Sequence, residues 1–519
     1  MADSNNLEHA SSTKAQMESF EKVEDGVPKY PKSGDGGDVA LQLVHTLAEP
    51  FEPFTPEEER KVMRKVDRMI LPYLAVCYIF FFVDKTTLSY AAIFGLNQDL
   101  NLQSNDYSWL SSLFYWGFFV FALPTNLLLQ RFPLAKYLGA NIFLWGFLLM
   151  AQAAVNNFAG LAVLRVLGGA AEACADPAFM IITSMWYTRQ EQPLKIGLWY
   201  TAVGIGIAFG GILGYGIGNI HGALASWKYE FLIIGALCSA WGIVMIIFLP
   251  DNPVTCRWLT DREKRIVIER LRQNQTGIEN KTLKVYQIRE AFTDYKSYLL
   301  FMCTLLQAIV NGGTTNFGTL IIKGFQFSTL NTTLLQIPYG ALIFFAILIC
   351  VFLNHGLSGN NRCWFIILFL LPNVAGAFGL HFVPEEQRIG RLVCYYLTGS
   401  INAPFVMLLS LQTANTAGHT KKVTVSAILF LGYCVGNIAG PFFYKTEQAP
   451  TYSLGIWSMI TSHFLEIAVV LIMRFALQWE NRRRDREYGP VDGSNQGDLN
   501  ATAFEDLTDR ENKNFRYVY

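Results

Sequence analysis

Charge is scarce in this sequence. Asp, Glu, Lys and Arg make up 16% of its 519 residues, where a soluble protein of that length carries nearer a quarter. The 41 acids balance the 41 bases, so no net field recruits nucleic acid, and no such partner is expected. The nine cysteines lie mostly in apolar runs and form no CxxC pair, which argues against a disulfide framework or a zinc site. The first residues, MADSNNLEHASS, lack the apolar core of a cleavable signal peptide. The first apolar helix is therefore expected to serve as the targeting signal. No complete GxGxxG occurs, and no nucleophile–base pair or metal cluster stands out. An enzyme is not expected, nor a cofactor beyond a proton gradient.

Apolar residues, in contrast, are abundant. They make up 52% of the chain, aromatics 14%, and they fall in repeated runs of about 20 residues, the length that crosses a bilayer as a helix. The pattern predicts an all-α integral membrane protein with twelve spans, near 69–93, 107–129, 137–156, 158–185, 196–219, 231–249, 298–322, 332–353, 363–382, 389–413, 424–444 and 452–477. Loop charge orients them. Arg131, Lys136, Arg189, Lys195, Arg362, Lys421, Lys422 and Arg482–Arg484 fall on one side with the many bases of 250–297, whereas the loops near 94–106 and 156–157 have no Lys or Arg. Both termini are thus expected in the cytoplasm. Residues 1–68 read as a polar, disordered tail to about 55 followed by a charged helix opened by Thr55-Pro56-Glu57-Glu58. A six-helix bundle follows at 69–249, a charged cytoplasmic loop at 250–297, a second six-helix bundle at 298–479 and a short disordered tail at 480–519. Within the loop, Trp258–Arg272 reads as an amphipathic helix with apolar residues at 259, 266, 268 and 271. It suits a solvated linker as well as a binding role. A six-plus-six division is the organisation of a two-bundle transporter with its site between the bundles.

The informative residues are the charges inside the apolar runs, because each costs about 2.5–3.5 kcal/mol at mid-membrane. The fourth span holds Arg165, Glu172 and Asp176 in LRVLGGAAEACADPAFM. Arg165 and Glu172 are seven residues apart, on one helix face but about 10 Å distant, so each needs another partner. The first span holds Asp84 and Lys85 at a similar depth to Arg165. Two acids and two bases facing one cavity can form alternative pairs, which a bound anion and a proton would select. A static buried network is the other reading, although desolvation makes such networks weak stabilisers. Asp176 precedes Pro177 and is read mainly as adapting to the helix break. The glycines of GLWYTAVGIGIAFGGILGYGIG are read as a helix-packing face.

In the second half, Gln307, Asn311 and Asn316 form a polar stripe suited either to a substrate's neutral groups or to interhelical hydrogen bonds, and Asn402 and Asn437 invite the same two readings. No deep charge matching Asp84 or Arg165 is expected there. His381, His419 and His463 are read as loop or helix-end residues, and His463-x-x-Glu466 as lacking the ligands of a metal site. The sequons at Asn274, Asn280 and Asn500 fall on the cytoplasmic side and that at Asn331 hugs a span, so no glycan is expected.

With these residues in view, the chain resembles the major facilitator superfamily over roughly 69–479. More closely it is similar to the anion:cation symporter family and its fungal allantoate-permease-like group. The resemblance rests on Asp84-Lys85, on Arg165-x-x-x-Gly169-x-x-Glu172, and on LPDNP (249–253), RQNQTGIENK (272–281), TNFGTLIIKGFQFST (315–329), NTAGHTKK (415–422) and GYCVGNIAGPFFY (432–444). It implies a plasma-membrane alternating-access carrier that takes a small carboxylate with protons. Asp84 and Glu172 would be its protonatable pair. Lys85 and Arg165 would meet the substrate carboxylate or hold those acids, and Asn311 joins them as a candidate polar contact from the stripe above. Asn437 would be a second-half contact. The loop after the second span departs from the family's G-x-x-x-D-R-x-G, keeping only Arg131. Lys85 stands where many relatives have Arg, a point charge in place of a bidentate fork. A ureide acid is the expected substrate. A vitamin acid, a dipeptide, uniport or exchange in place of symport, and a non-transporting sensor are the alternatives.

Overall fold

Thr55 starts the first helix as the sequence predicts. Its hydroxyl accepts from the Glu58 amide while the Glu58 carboxylate accepts from the Thr55 amide, and Pro56 occupies the first turn. The helix does not stop where the charge does. In this computed structural model the charged segment and the first span are one 38-residue helix, α1 (Pro56–Ile93), which runs on through Pro72. The structure describes residues 54–519 apart from 104, 189–190, 274–283, 358–359, 490–506 and 514. The expected N-terminal tail and the sequons at Asn274, Asn280 and Asn500 therefore lie outside the described residues.

Every regular element among the described residues is helical. After α1 come α2 (Asp106–Arg131), α3 (Leu134–Gln152), α4 (Phe158–Glu172), α5 (Ala175–Trp186), α6 (Gln192–Tyr200), α7 (Ala202–Gly218) and α8 (Ser226–Phe248). Helices α9 (Asp261–Gln273) and α10 (Val285–Thr293) bridge to α11 (Tyr295–Gly324), α12 (Gln336–Gly356), α13 (Arg362–Phe382), α14 (Arg388–Leu397), α15 (Asn402–Asn415), α16 (His419–Ala439) and α17 (Ser453–Tyr488). Eleven helical runs among the described residues are long and apolar enough to cross a membrane. The second expected span coincides with α2, 26 residues long, which is not among those eleven.

Four expected spans are broken. The fourth divides into α4 and α5 at Ala173–Cys174, where Pro177 supplies no amide to the turn before it and its ring crowds the Ala173 carbonyl. The fifth divides at Thr201, the eighth at Leu335 and the tenth at a 3-10 turn, Thr398–Ile401. The twelfth runs on as α17 to Tyr488, well past 477.

Within the first half α8 packs on α3, α4 on α2 and α7 on α1; within the second, α16 and α17 pack on α11, and α13 on α17. The halves meet through α1 with α11, α2 with α16 and α7 with α12. Close helix crossings depend on glycine. A Cβ on Gly204 would lie 2.3 Å from the Gly340 carbonyl oxygen, and one on Gly340 would meet the Gly204 oxygen at 2.3 Å. A Cβ on Gly169 of α4 would lie 1.9 Å from the Phe114 oxygen of α2. The glycine run is the packing face that its composition suggests.

The face where α1 begins and α17 ends is here the basal face, the other the distal face. Distally the halves are joined by hydrogen bonds. Tyr107 donates to the Asn316 carbonyl (2.7 Å), Ser112 to Ile438 (2.7 Å), Ser108 to Pro441 (3.1 Å) and Lys323 to Ile93 (3.1 Å). Ser89 bonds Thr319. On the basal side of the centre the halves meet through rings: Tyr200 with Phe405 at 5.9 Å, and Phe118 stacked on Phe430 at 5.8 Å.

The linker helix α9 begins three residues later than expected, capped by Thr260 with Glu263. It buries Ile266 and Val267, with Leu259 buried just before its start, and is fastened to the first bundle. Arg270 grips Glu191 through both terminal nitrogens (2.7 and 2.8 Å) and reaches Glu59 (2.5 Å). Lys65 meets Glu263 (2.7 Å). The solvated-linker reading is thereby replaced by a docked one.

The C-terminal expectation also needs correction. Residues 507–513 and 515–519 lie against the basal ends of the second bundle, with Thr508, Asp509 and Tyr517 buried. Polar composition suggests a free tail, but Asp509 meets buried lysines that sequence distance hides: Lys296 and Lys421.

Candidate functional site

Lys85 lies eight residues before the distal end of α1, about 12 Å along the axis. At 6% exposure its ammonium is sequestered from solvent, and its surroundings are mainly aromatic. The Phe81 ring lies 3.9 Å from Nζ, with the Phe82 and Tyr433 rings at 5.1 and 5.8 Å. A cation over ring faces is stabilised by their quadrupoles, more so when desolvated. Nζ also donates to the Tyr433 hydroxyl at 3.4 Å. Its carboxylate partner is Glu172, at 3.8 Å. Glu172 is the last residue of α4 before the Pro177 break, and both its oxygens lack a hydrogen-bond partner among the described residues. The pair is Coulombic and loose.

The other two charges do not pair with each other. Asp84 is 1% exposed, accepts from the Trp145 indole of α3 at 3.0 Å, and has its second oxygen buried without a partner among the described residues. Arg165 is 3% exposed, donates from Nε to the Leu110 carbonyl of α2 at 3.3 Å and lies 4.9 Å from the Phe114 ring. No carboxylate among the described residues lies within 4.0 Å of its guanidinium. The four charges thus converge from α1 and α4, but the contact that forms is Lys85–Glu172. Adjacent residues project about 100° apart, so Asp84 turns toward α3 while Lys85 turns toward α16. Asp176, in the first turn of α5, is half-buried.

In the second half Asn311 donates to Asn437 Oδ1 (3.0 Å), and Asn437 donates to the Tyr433 carbonyl (2.8 Å). Asn437 is fully buried behind Asn311. Gln307 donates to Ile401 O (2.7 Å), and Asn316 to Gly312 O (2.8 Å). Asn316 is therefore spent on helix contacts. Two small cavities lie between the halves. One of about 30 Å³ is lined by Thr86, Asn311, Gln336, Tyr339 and Asn402. The other, of about 20 Å³, is lined by Tyr200, Gln307, Asn311, Asn402, Phe405 and Tyr433. Each suits about one water molecule, so the centre is closed down around polar groups. Tyr433 touches both systems, bonding Lys85 and lining the second cavity. Sequence reasoning missed Tyr433, Trp145 and Phe81, since aromatics in apolar runs read as core; only the structure sets them against charges.

The second half does hold deep ionisable groups. His463 lies ten residues into α17, about 15 Å from its start, fully buried and 3.6 Å from Glu466. It is not a helix-end histidine. The α17 face carrying it packs on α11 and α13, and the three-residue spacing sets the two side chains together.

A family model described as the Major Facilitator Superfamily matches residues 74–441. An uncharacterised transporter of Schizosaccharomyces pombe is 38% identical over 492 residues, covering 94% of this chain and 91% of the relative. Two Saccharomyces cerevisiae proteins are each 34% identical. The allantoate permease aligns over 93% of this chain and 90% of itself, and the thiamine pathway transporter over 88% and 86%. Among solved structures, a bacterial homologue of the human lysosomal transporter Spinster, inward-facing and occupied, superposes with a TM-score of 0.56 at 14% identity, covering 78% of this chain and 94% of that one.

Proposed function

The chain belongs to the Major Facilitator Superfamily, and we propose that it is a plasma-membrane secondary transporter taking up a small organic anion, a ureide-type carboxylate, together with protons. It is a membrane transporter and not an enzyme. In this reading α2 completes twelve spans, the basal face is cytoplasmic, and the two bundles rock about the centre to alternate access.

The observation that carries the reading is the Lys85–Glu172 pair. A buried ammonium has a carboxylate at 3.8 Å that makes no hydrogen bond among the described residues. A proton on Glu172 removes the charge that holds Lys85, and a substrate carboxylate then takes its place. Arg165 supplies a second positive charge, and Asp84, with one oxygen unpartnered, supplies a second proton acceptor. Asn311 and Asn402 face the cavities where the neutral groups of the substrate would lie, with Asn437 fixing Asn311. When the anion leaves, Lys85 again favours ionised Glu172, which returns the proton. Because the cavities are water-sized, binding requires the rings at Tyr200 and Phe405 to part. The 34% identity to an allantoate permease supports the ureide assignment.

The test is uptake of a panel of labelled compounds (allantoate, ureidosuccinate, nicotinate, pantothenate, a dipeptide and thiamine) into cells lacking their own carriers, at acid and neutral outside pH, with and without uncoupler. Faster uptake of a ureide acid at low pH, abolished by uncoupler, is the expected result. Uptake of thiamine alone would overturn the anion assignment, and binding without uptake would overturn transport.

A further inference from the structure

We propose that the basal ends of α10, α11, α15, α16 and α17 form a peptide-binding groove, that the chain's own segment 507–519 is its ligand, and that the seated segment holds the basal gate shut. Side chains of the groove read the peptide backbone. Asn415, at the end of α15, donates to the Val518 carbonyl (2.6 Å) and accepts from the Val518 amide (2.7 Å). Asn481 of α17 does the same to Tyr517, both bonds 2.8 Å. Arg484 donates to the carbonyls of Asn512 and Phe515, both 3.1 Å.

Two buried anchors fix the register. Asp509 takes the Lys421 ammonium on one oxygen (2.6 Å) and Lys296 on the other (2.5 Å). The Tyr517 hydroxyl donates to Asp509 (2.8 Å) and accepts from Lys296 (2.6 Å) and Arg484 (3.1 Å). Thr508 donates to Glu290 at 2.9 Å.

The groove does not need its peptide to be electrically balanced. Lys421 also meets Glu290 (2.8 Å) and Asp294 (2.9 Å), and Lys296 meets Asp294 (3.3 Å). The two lysines then face two carboxylates and Arg484 keeps Glu480 at 3.2 Å, so the segment can leave without stranding a buried charge. That is the signature of a releasable ligand, because stranding one would be strongly disfavoured.

Its position supplies the consequence. The helix ending at Asn415 carries Phe405, and the helix beginning beside Lys421 carries Phe430 and Tyr433. Phe405 meets Tyr200, Phe430 meets Phe118 and Tyr433 meets Tyr115 of the other half, beside the second cavity. Tying the ends of α15 and α16 together, and to α11 and α17, resists their splaying. Protonation of Asp509 is not the trigger for release. Burial works to raise the Asp509 carboxyl, but Lys296 and Lys421 outweigh it and hold it below the ordinary carboxylate range. It stays ionised at any pH a living cell reaches.

The experiment compares the full chain with a version ending at residue 506, each carrying Asn402→Cys in a background without the native cysteines, reconstituted in vesicles. Truncation should speed labelling of that cysteine by a soluble maleimide from the basal side at least threefold. A fluorescent peptide of residues 507–519, added to the truncated protein, should bind and restore slow labelling. The same peptide with Asp509→Asn and Tyr517→Ala should bind at least tenfold more weakly. In the full chain Thr508→Glu sets a carboxylate against Glu290 and should reproduce the truncation if the shortened protein is unstable. Unchanged labelling in both variants, or a peptide that does not bind, overturns the proposal. Labelling and peptide binding use no substrate, so a failed uptake panel leaves this result readable.

Discussion

Replacing Glu172 with Gln is the sharpest perturbation of the proposed coupling. The side chain keeps its shape, and both native carboxylate oxygens already lack hydrogen bonds among the described residues, so little packing or bonding is lost. What disappears is the charge 3.8 Å from Lys85. At an effective dielectric constant near 20, that separation corresponds to an attraction of about 4 kcal/mol. An incoming carboxylate must displace this attraction while Glu172 is ionised but not when it is protonated. The nearby charges of Asp84 and Arg165 offset part of it, and each ~1.4 kcal/mol is a factor of ten in affinity. Glu172→Gln should therefore bind the transported anion at least ~10-fold more tightly than the native protein wherever native Glu172 is ionised. The two should converge as acid protonates Glu172, so the variant's affinity becomes nearly independent of pH. Accumulation against a gradient should be lost while exchange of labelled for unlabelled anion persists, because exchange needs no proton release. Calorimetric titration of purified protein across a pH series, with counterflow in vesicles, reads all of this. Native-like affinity throughout that series together with intact pH-driven accumulation would refute the Lys85–Glu172 exchange.

Other outcomes follow from the same geometry. Asp84→Ala leaves the buried Trp145 indole N–H without its acceptor, at a cost of about 1–3 kcal/mol, whereas Asp84→Asn keeps one; thermal unfolding in detergent should rank native, Asn, Ala. Gly204→Leu places a branched side chain where a Cβ alone would come within 2.3 Å of the Gly340 carbonyl, so the bundles cannot close at that crossing, and uptake should fall by more than tenfold with surface expression retained. Arg270→Ala frees α9 from Glu191 and Glu59 and should destabilise the protein by about 1–3 kcal/mol, charge-assisted bonds being the stronger kind. The pH dependence of that fastening has a definite sign. Partial burial works to raise the Glu191 carboxyl, but Arg270 outweighs it and the pKa is lowered. Its contribution is thus complete above the ordinary carboxylate value of about 4.3 and is lost only as pH falls through the depressed value. The native-minus-Arg270→Ala stability difference should stay flat between pH 5 and 8.

The sequence by itself determined which segments are long, apolar helices of membrane-crossing length. In a bilayer, long apolar runs exclude nearly every alternative to a helix, since each backbone polar group must be satisfied within its own segment. It determined the start of α1, because Thr55, Pro56 and Glu58 act within one turn, and the close packing of α7, because glycine has the same steric consequence wherever it falls. It also marked Asp84, Lys85, Arg165 and Glu172, since charge inside an apolar run is costly anywhere. Only the tertiary structure decided how those charges are used. Lys85 meets Glu172 while Asp84 turns to Trp145, because the helical rotation separates neighbours and α3 stands on one side of α1. Tyr433 and Trp145 take polar roles only because distant helices bring them to charges. The same holds for His463, deep in α17, and for the C-terminal segment, whose Asp509 finds Lys296 and Lys421 at separations of 213 and 88 residues. A local pattern carries information about a turn or a helix face; a contact between helices depends on where the chain returns in space, which no local pattern encodes.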